Sequence, residues 1–224
     1  MNELRQLYLD ISHQYFRGEI SIATLYAKLK EIIHINVDRI NLPVDERIML
    51  IANHPAAEDD LTLPAENISG LKGGNHRNFP SFWFPVVRQL LFAEALGERR
   101  FLTLAHDIGW SEAMREMSHL IINHSGGGRC QEIISCMRKE RDCSLVIFPE
   151  GGMRNLEIFH TGFFYIACAL KIKYLVVGAF SPLLSLGGKN EFKIIHIEDM
   201  DYLTHTVIEF VDAQKHRIKE VMQM

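Results

Sequence analysis

After Pro43 the chain alternates short apolar runs with longer amphipathic stretches, and this alternation restricts the fold more than any other feature of the sequence. The apolar runs are Ile48–Ala52, Phe101–Ala105, Leu120–Asn123, Ser144–Phe148, Tyr174–Ala179 and Phe192–Ile197. They have strand length, and most lack the in/out alternation of a strand wet on one face, so burial on both faces is expected. Helical patterns at Phe84–Leu96, Arg129–Lys139, Gly162–Leu170 and Thr204–Val221 separate or follow them. Such alternation predicts an α/β layer structure, a largely parallel central sheet flanked by helices. Ahead of it, Leu4, Leu7, Tyr8, Ile11 and Tyr15, then Leu25, Leu29, Ile32 and Ile33, recur at helical spacing. They predict an N-terminal two-helix preface, Asn2–Arg17 and Ser21–Ile35, broken at Gly18. The 224 residues suffice for a single domain: the preface over 1–40, an α/β core over 45–200 and a closing helix over 203–223.

Charge and cysteine content remove several function classes. With 24 basic and 28 acidic side chains the net charge is -4, which argues against nonspecific nucleic-acid binding. Cys130, Cys136, Cys143 and Cys168 lack CxxC spacing and no secretion signal precedes them, so free thiols and a cytoplasmic setting are expected. The apolar run Gly162–Leu170 falls far short of the ~20 residues of a membrane span. The apolar stripe of the first helix leaves peripheral membrane contact open, with core packing as the plainer reading. Arg99-Arg100 and Arg138-Lys139-Arg141 are candidate docking points for an acidic carrier protein, or simply solvated helix ends. The Gly-, Asn- and Pro-rich stretch from Pro64 to Pro80 reads either as a substrate lid or as a surface insertion.

In an open α/β sheet ligands bind outside the carboxyl ends of the strands, and three predicted strand ends carry chemistry. Ile48–Ala52 runs into Asn53-His54-Pro55, where Pro55 suits the first turn of a helix and leaves His54 at its mouth. Asp59, one turn on, could then return a carboxylate to one imidazole nitrogen while the other takes a proton. Leu120–Asn123 runs into His124-Ser125-Gly126-Gly127-Gly128-Arg129, a glycine-rich helix entry that is either an anion cradle or a tight turn. Ser144–Phe148 runs into Pro149-Glu150-Gly151-Gly152-Met153-Arg154. There the glycines permit close backbone approach to a ligand, and Arg154 could pair with a phosphate or carboxylate.

With these residues in view the chain resembles the glycerolipid acyltransferases, the glycerol-3-phosphate and lysophosphatidate acyltransferases. Their signature is a histidine and an aspartate separated by four residues, matched here by His54 and Asp59. Their Phe-Pro-Glu-Gly motif is matched by Phe148, Pro149, Glu150 and Gly151, and the resemblance runs over Ile48–Ala179. It implies acyl transfer from a thioester donor, acyl-coenzyme A or acyl carrier protein, to the hydroxyl of a lipid-like or small acceptor. His54 would be the general base and Asp59 its orienting partner. Glu150, Gly151, Gly152 and Arg154 would bind substrate, with Arg129 as a substitute for a basic residue the family has after its middle strand. Backbone N–H groups of the helix after His54 are one candidate oxyanion hole. No cofactor or metal is expected. Four departures bear on the acceptor: Gly152 and Met153 both intervene before Arg154, Asn123 and His124 stand where the family has its basic residue, Gly178 stands near the place of a family proline, and no membrane span is read although many members of the family are membrane-bound.

Two rival readings remain. His54, Asp59, Asp60, His76, His106, Asp107, His119 and His124 could ligate the metal of a hydrolase, although their spacing is irregular. A catalytically degenerate lipid- or carrier-binding protein is the other.

Overall fold

The computed structural model describes residues 3–57, 83–106, 111–122, 128–150, 159–181, 183–202 and 207–222. Two helices open the chain, α1 (Glu3–Phe16) and α2 (Ile22–Ile32). Gly18, at φ +72°, turns the backbone between them, and the Ser21 hydroxyl caps α2 by accepting the Thr24 N–H at 3.2 Å. Their apolar face, Tyr8, Ile11, Tyr15, Phe16, Leu25 and Leu29, is buried in the chain's own core, while Leu7 stays exposed.

The second helix ends three residues earlier than the expected Ile35, because Ile33 is extended and β1 (His34–Val37) begins at once. There follow β2 (Ile48–Ala52), β3 (Ala56–Ala57), α3 (Trp83–Leu96), β4 (Phe101–His106), α4 (Ser111–Glu116) and β5 (His119–Ile122). After these come α5 (Arg129–Lys139), β6 (Ser144–Ile147), α6 (Gly162–Ala169), β7 (Tyr174–Phe180), β8 (Leu183–Leu184), β9 (Lys189–Asp199) and α7 (Val207–Met222). Seven strands form one sheet in the order β1-β9-β7-β2-β6-β4-β5, and β3 pairs with β8 in a separate short ladder. From β7 to β5 all neighbours are parallel, whereas β9 runs antiparallel to β7 and carries β1 parallel to itself.

Helices cover both faces. Ile48, Leu50 and Ala52 of β2 join the core beneath α1, α2 and α3, and Met49 and Ile51 join the one beneath α5, α6 and α7. Every residue of β2 is therefore buried, as its unbroken apolar run predicts. Cys130, Cys136, Cys143 and Cys168 are all free thiols. Among the described residues no helix is long and apolar enough to cross a membrane.

Candidate active site

β2 occupies the middle of the sheet, with β6 and β7 as its neighbours. The helix after β2, α3, contributes to one core, while the helix after β6, α6, contributes to the other. Adjacent parallel strands whose following helices leave to opposite faces open a crevice between their carboxyl ends, the usual ligand site of such sheets. The register of the two strands decides what stands there. Met49 pairs with Leu145, Leu50 with Val146 and Ile51 with Ile147, and the same offset carried onward sets His54 opposite Glu150.

The side-chain contacts agree with that alignment. The His54 backbone N–H donates to Glu150 Oε1 at 2.9 Å. The His54 ring meets Phe148 edge-on, with centroids 5.2 Å apart and an interplanar angle of 66°. On the other flank, the fully buried Asn53 accepts the Phe180 N–H on its Oδ1 at 2.8 Å, tying the end of β2 to β7. His54 is thus fixed from both neighbouring strands, by the Glu150 carboxyl on one side and through Asn53 on the other, and is half-buried. Glu150 is buried, and desolvation raises its carboxyl from an ordinary 4.5 to about 7, against the lowering effect of the His54 N–H. Near neutral pH this carboxyl is poised between its charged and neutral forms.

The stretch after His54 differs from the sequence expectation. Pro55 does not begin a helix; Ala56 and Ala57 are extended and pair with Leu183 and Leu184. Proline's fixed φ suits an extended segment as well as a first helical turn, and pairing with β8 satisfies the backbone that a helix would otherwise have satisfied. No helix N-terminus at Pro55 offers the N–H groups considered for an oxyanion hole. Asp59 lies outside the described residues, as do Asp60, Gly151, Gly152, Arg154 and the stretch from Pro64 to Pro80 considered as a lid.

Arg129 opens α5 after β5, the edge strand, which β6 and β4 separate from β2. At the usual strand spacing that is about 14 Å across the sheet from the end of β2. Of the cations considered for carrier docking, Arg99 is buried and donates to the carbonyls of Leu42, Pro43 and Leu96. Arg100 is exposed and pairs with Glu140 at 3.3 Å. Arg138 and Arg141 line a cleft with Arg47 and Lys171 at the opposite, amino ends of the strands.

Among the described residues no three His, Cys, Asp or Glu side chains gather as a metal site would require. His119, one of the metal-ligand candidates, has both ring nitrogens engaged, Nε2 by Arg88 and Nδ1 by the Met114 carbonyl. His76, Asp107 and His124 lie outside the described residues, and His106 closes β4. Sequence reasoning missed Asn53 and the pair Arg88–His119. A lone arginine inside the apolar helix Phe84–Leu96 was the available signal for the latter.

Fold and site together describe a doubly covered α/β sheet with a histidine and a buried carboxyl at its switch point. No protein-family model and no curated protein sequence matches the chain. Its fold does match a solved structure, the 1-acyl-sn-glycerophosphate (LPA) acyltransferase PlsC from Thermotoga maritima, with a TM-score of 0.58. The match covers 98% of this chain and 94% of that one at 13% sequence identity. At this identity the likeness establishes a shared fold over nearly the whole chain.

Proposed function

We propose that the chain is an acyltransferase that moves an acyl group from a thioester, on coenzyme A or acyl carrier protein, to the hydroxyl of a lipid-like or small acceptor. The observation that carries this reading is the placement of His54 beside Glu150 at the switch point of the sheet. The fold shared with an LPA acyltransferase supports it. So do the paired sequence motifs His54/Asp59 and Phe148–Gly151.

In this mechanism the imidazole of His54 removes the proton of the acceptor hydroxyl as its oxygen attacks the thioester carbonyl. The tetrahedral intermediate collapses with loss of the thiolate, which takes the proton back from the imidazolium and leaves as free thiol. The thioester is already activated, so no covalent acyl-enzyme is needed. Glu150 holds the base in place through the His54 N–H and, with Gly151, forms part of the acceptor wall. Asp59 orients the imidazole. Gly152, Arg154 and Arg129 are the remaining substrate-binding residues of the proposal, with Arg154 or Arg129 meeting an acceptor phosphate where one is present.

The test is acceptor-dependent thiol release from acyl-coenzyme A and acyl carrier protein. Lysophospholipid, glycerol phosphate, simple alcohols and amines serve as acceptors, and wild type is compared with His54→Ala. Release that depends on acceptor and disappears in the variant supports the reading. Binding of the thioester with no release from any pair would replace it with the degenerate binding protein.

A further inference from the structure

Helix α3 is apolar along most of its length, yet it carries Arg88 and Gln89 into the interior. Gln89 is a mechanical bolt: its Oε1 accepts from Thr103 Oγ1 at 2.7 Å and its amide donates to the Ser118 carbonyl at 3.4 Å, fastening α3 to β4 and to the turn before β5. Arg88 makes a different set of contacts. Its Nη2 lies 2.8 Å from Nε2 of the buried His119, and its Cζ stands 4.7 Å from the centroid of the Phe148 ring. A guanidinium only donates, so His119 Nε2 accepts and the imidazole proton sits on Nδ1, donated to the Met114 carbonyl at 3.1 Å. Burial, with the charge of Arg88 behind it, depresses His119 to about 3 and keeps it a neutral acceptor. Burial lowers Arg88 to about 9, which leaves it cationic at neutral pH.

Phe148 is shared. One contact of its ring is the Arg88 guanidinium at 4.7 Å and another is the His54 imidazole at 5.2 Å, which together put the cation no more than about 10 Å from the imidazole. A bolt between α3 and β5 needs no charge, since Gln89 achieves one with a neutral amide, and burying a cation is costly. We propose that Arg88 is a positioning residue of the His54 site: held by His119, it fixes the Phe148 ring against the imidazole and supplies a buried positive charge that favours its free-base form. Of the described charged and titratable groups, Glu150 faces His54 from the turn after β6 and Arg88 faces it from α3 through Phe148. His119 of β5 and Tyr26 of α2 act on Arg88. The charge of Arg88 opposes protonation of His54, whereas an ionised Glu150 would promote it. Arg88 thus counters Glu150 across the pH range in which a general base must stay unprotonated.

The inference rests on His54 being the base, and its test separates the two. His54 is titrated by NMR of its imidazole, assigned by its loss in His54→Ala, in wild type, Arg88→Met and Arg88→Lys. Thiol release is followed over the same pH range. Arg88→Met takes the donor from the buried His119 Nε2, which destabilises the fold, so its folding is checked before it is titrated. Its His54 midpoint and the acid limb of kcat should move up by about one pH unit, as a charge at this distance in a partly screened interior requires, with the acceptor KM unchanged. An unmoved midpoint in folded Arg88→Met overturns the proposal, whatever its activity. Should Arg88→Met fail to fold, Arg88→Lys decides: it keeps the charge but not the planar fork, so it should hold the midpoint and lower kcat. Wild-type kcat in Arg88→Lys removes the positioning role. A midpoint that moves in a chain releasing no thiol supports the Arg88–His54 coupling and removes the acyltransferase.

Discussion

Glu150 ties the stability of the fold to pH in a direction opposite to that of most carboxylates. Its side chain is 2% exposed, and burial raises its titration from 4.5 to about 7. Below about pH 4.5 the folded and unfolded chains both carry the proton; between that point and about 7 only the folded chain does. The unfolded state then binds fewer protons, so stability falls as pH rises through this window and levels off above it. A window of about 2.5 pH units, at about 1.4 kcal/mol each, makes the loss about 3 kcal/mol. Glu150→Gln keeps a carbonyl oxygen for the His54 N–H and does not titrate. Urea denaturation of both proteins between about pH 4.5 and about pH 8 reads the effect directly. The variant should gain about 3 kcal/mol on wild type across that range. Any fixed cost of burying the glutamine amide shifts the whole comparison and leaves its slope untouched. Parallel stability curves would refute the reasoning, because they would mean that the carboxyl at the end of β6 exchanges its proton in the folded chain as it does in water.

Three further outcomes are expected. His54→Ala should lower acceptor-dependent thiol release by ~10²–10⁴-fold while the urea midpoint stays near wild type; undiminished release would remove His54 from the chemistry. Arg154→Ala should raise the KM of a phosphate-bearing acceptor more than it lowers kcat, measured by saturation kinetics with and without the phosphate on the acceptor. An unchanged KM would show that Gly152 and Met153 have carried Arg154 out of the site. Gly178→Ala would bring a Cβ to 2.2 Å from the Phe192 ring, so chemical denaturation should show a loss of about 1–3 kcal/mol from overpacking. Adding Phe192→Leu should recover part of it, and a fully stable Gly178→Ala would contradict the packing of β7 on β9.

What could be read from the sequence was set by how local the deciding forces are. Ile48–Ala52 reads as a strand covered on both faces because five consecutive apolar residues leave no polar side to wet, and the residues of β2 do divide between two cores. His34–Val37 does not read that way: Ile32, Ile33 and Ile35 continue the apolar face of the helix before them. Pairing with Lys189–Phe192 at the far end of the chain makes β1 a strand. Pro55 was compatible with a helix start and with extended chain, and the choice fell to Leu183 and Leu184, again distant in sequence. The site divides along the same line. The chemistry of His54 and Glu150 was visible as two motifs at two strand ends, but their contact depends on β6 inserting beside β2 although β4 is the next strand of the main sheet in sequence. Arg88 shows the remaining case. A single cation in the apolar run of α3 signals an unusual burial, yet neither His119 nor Phe148 is near it in sequence. Only the contacts of Arg88 with His119 in β5 and with Phe148 just after β6 turn a helix with one misplaced charge into support for the residue at the end of β2.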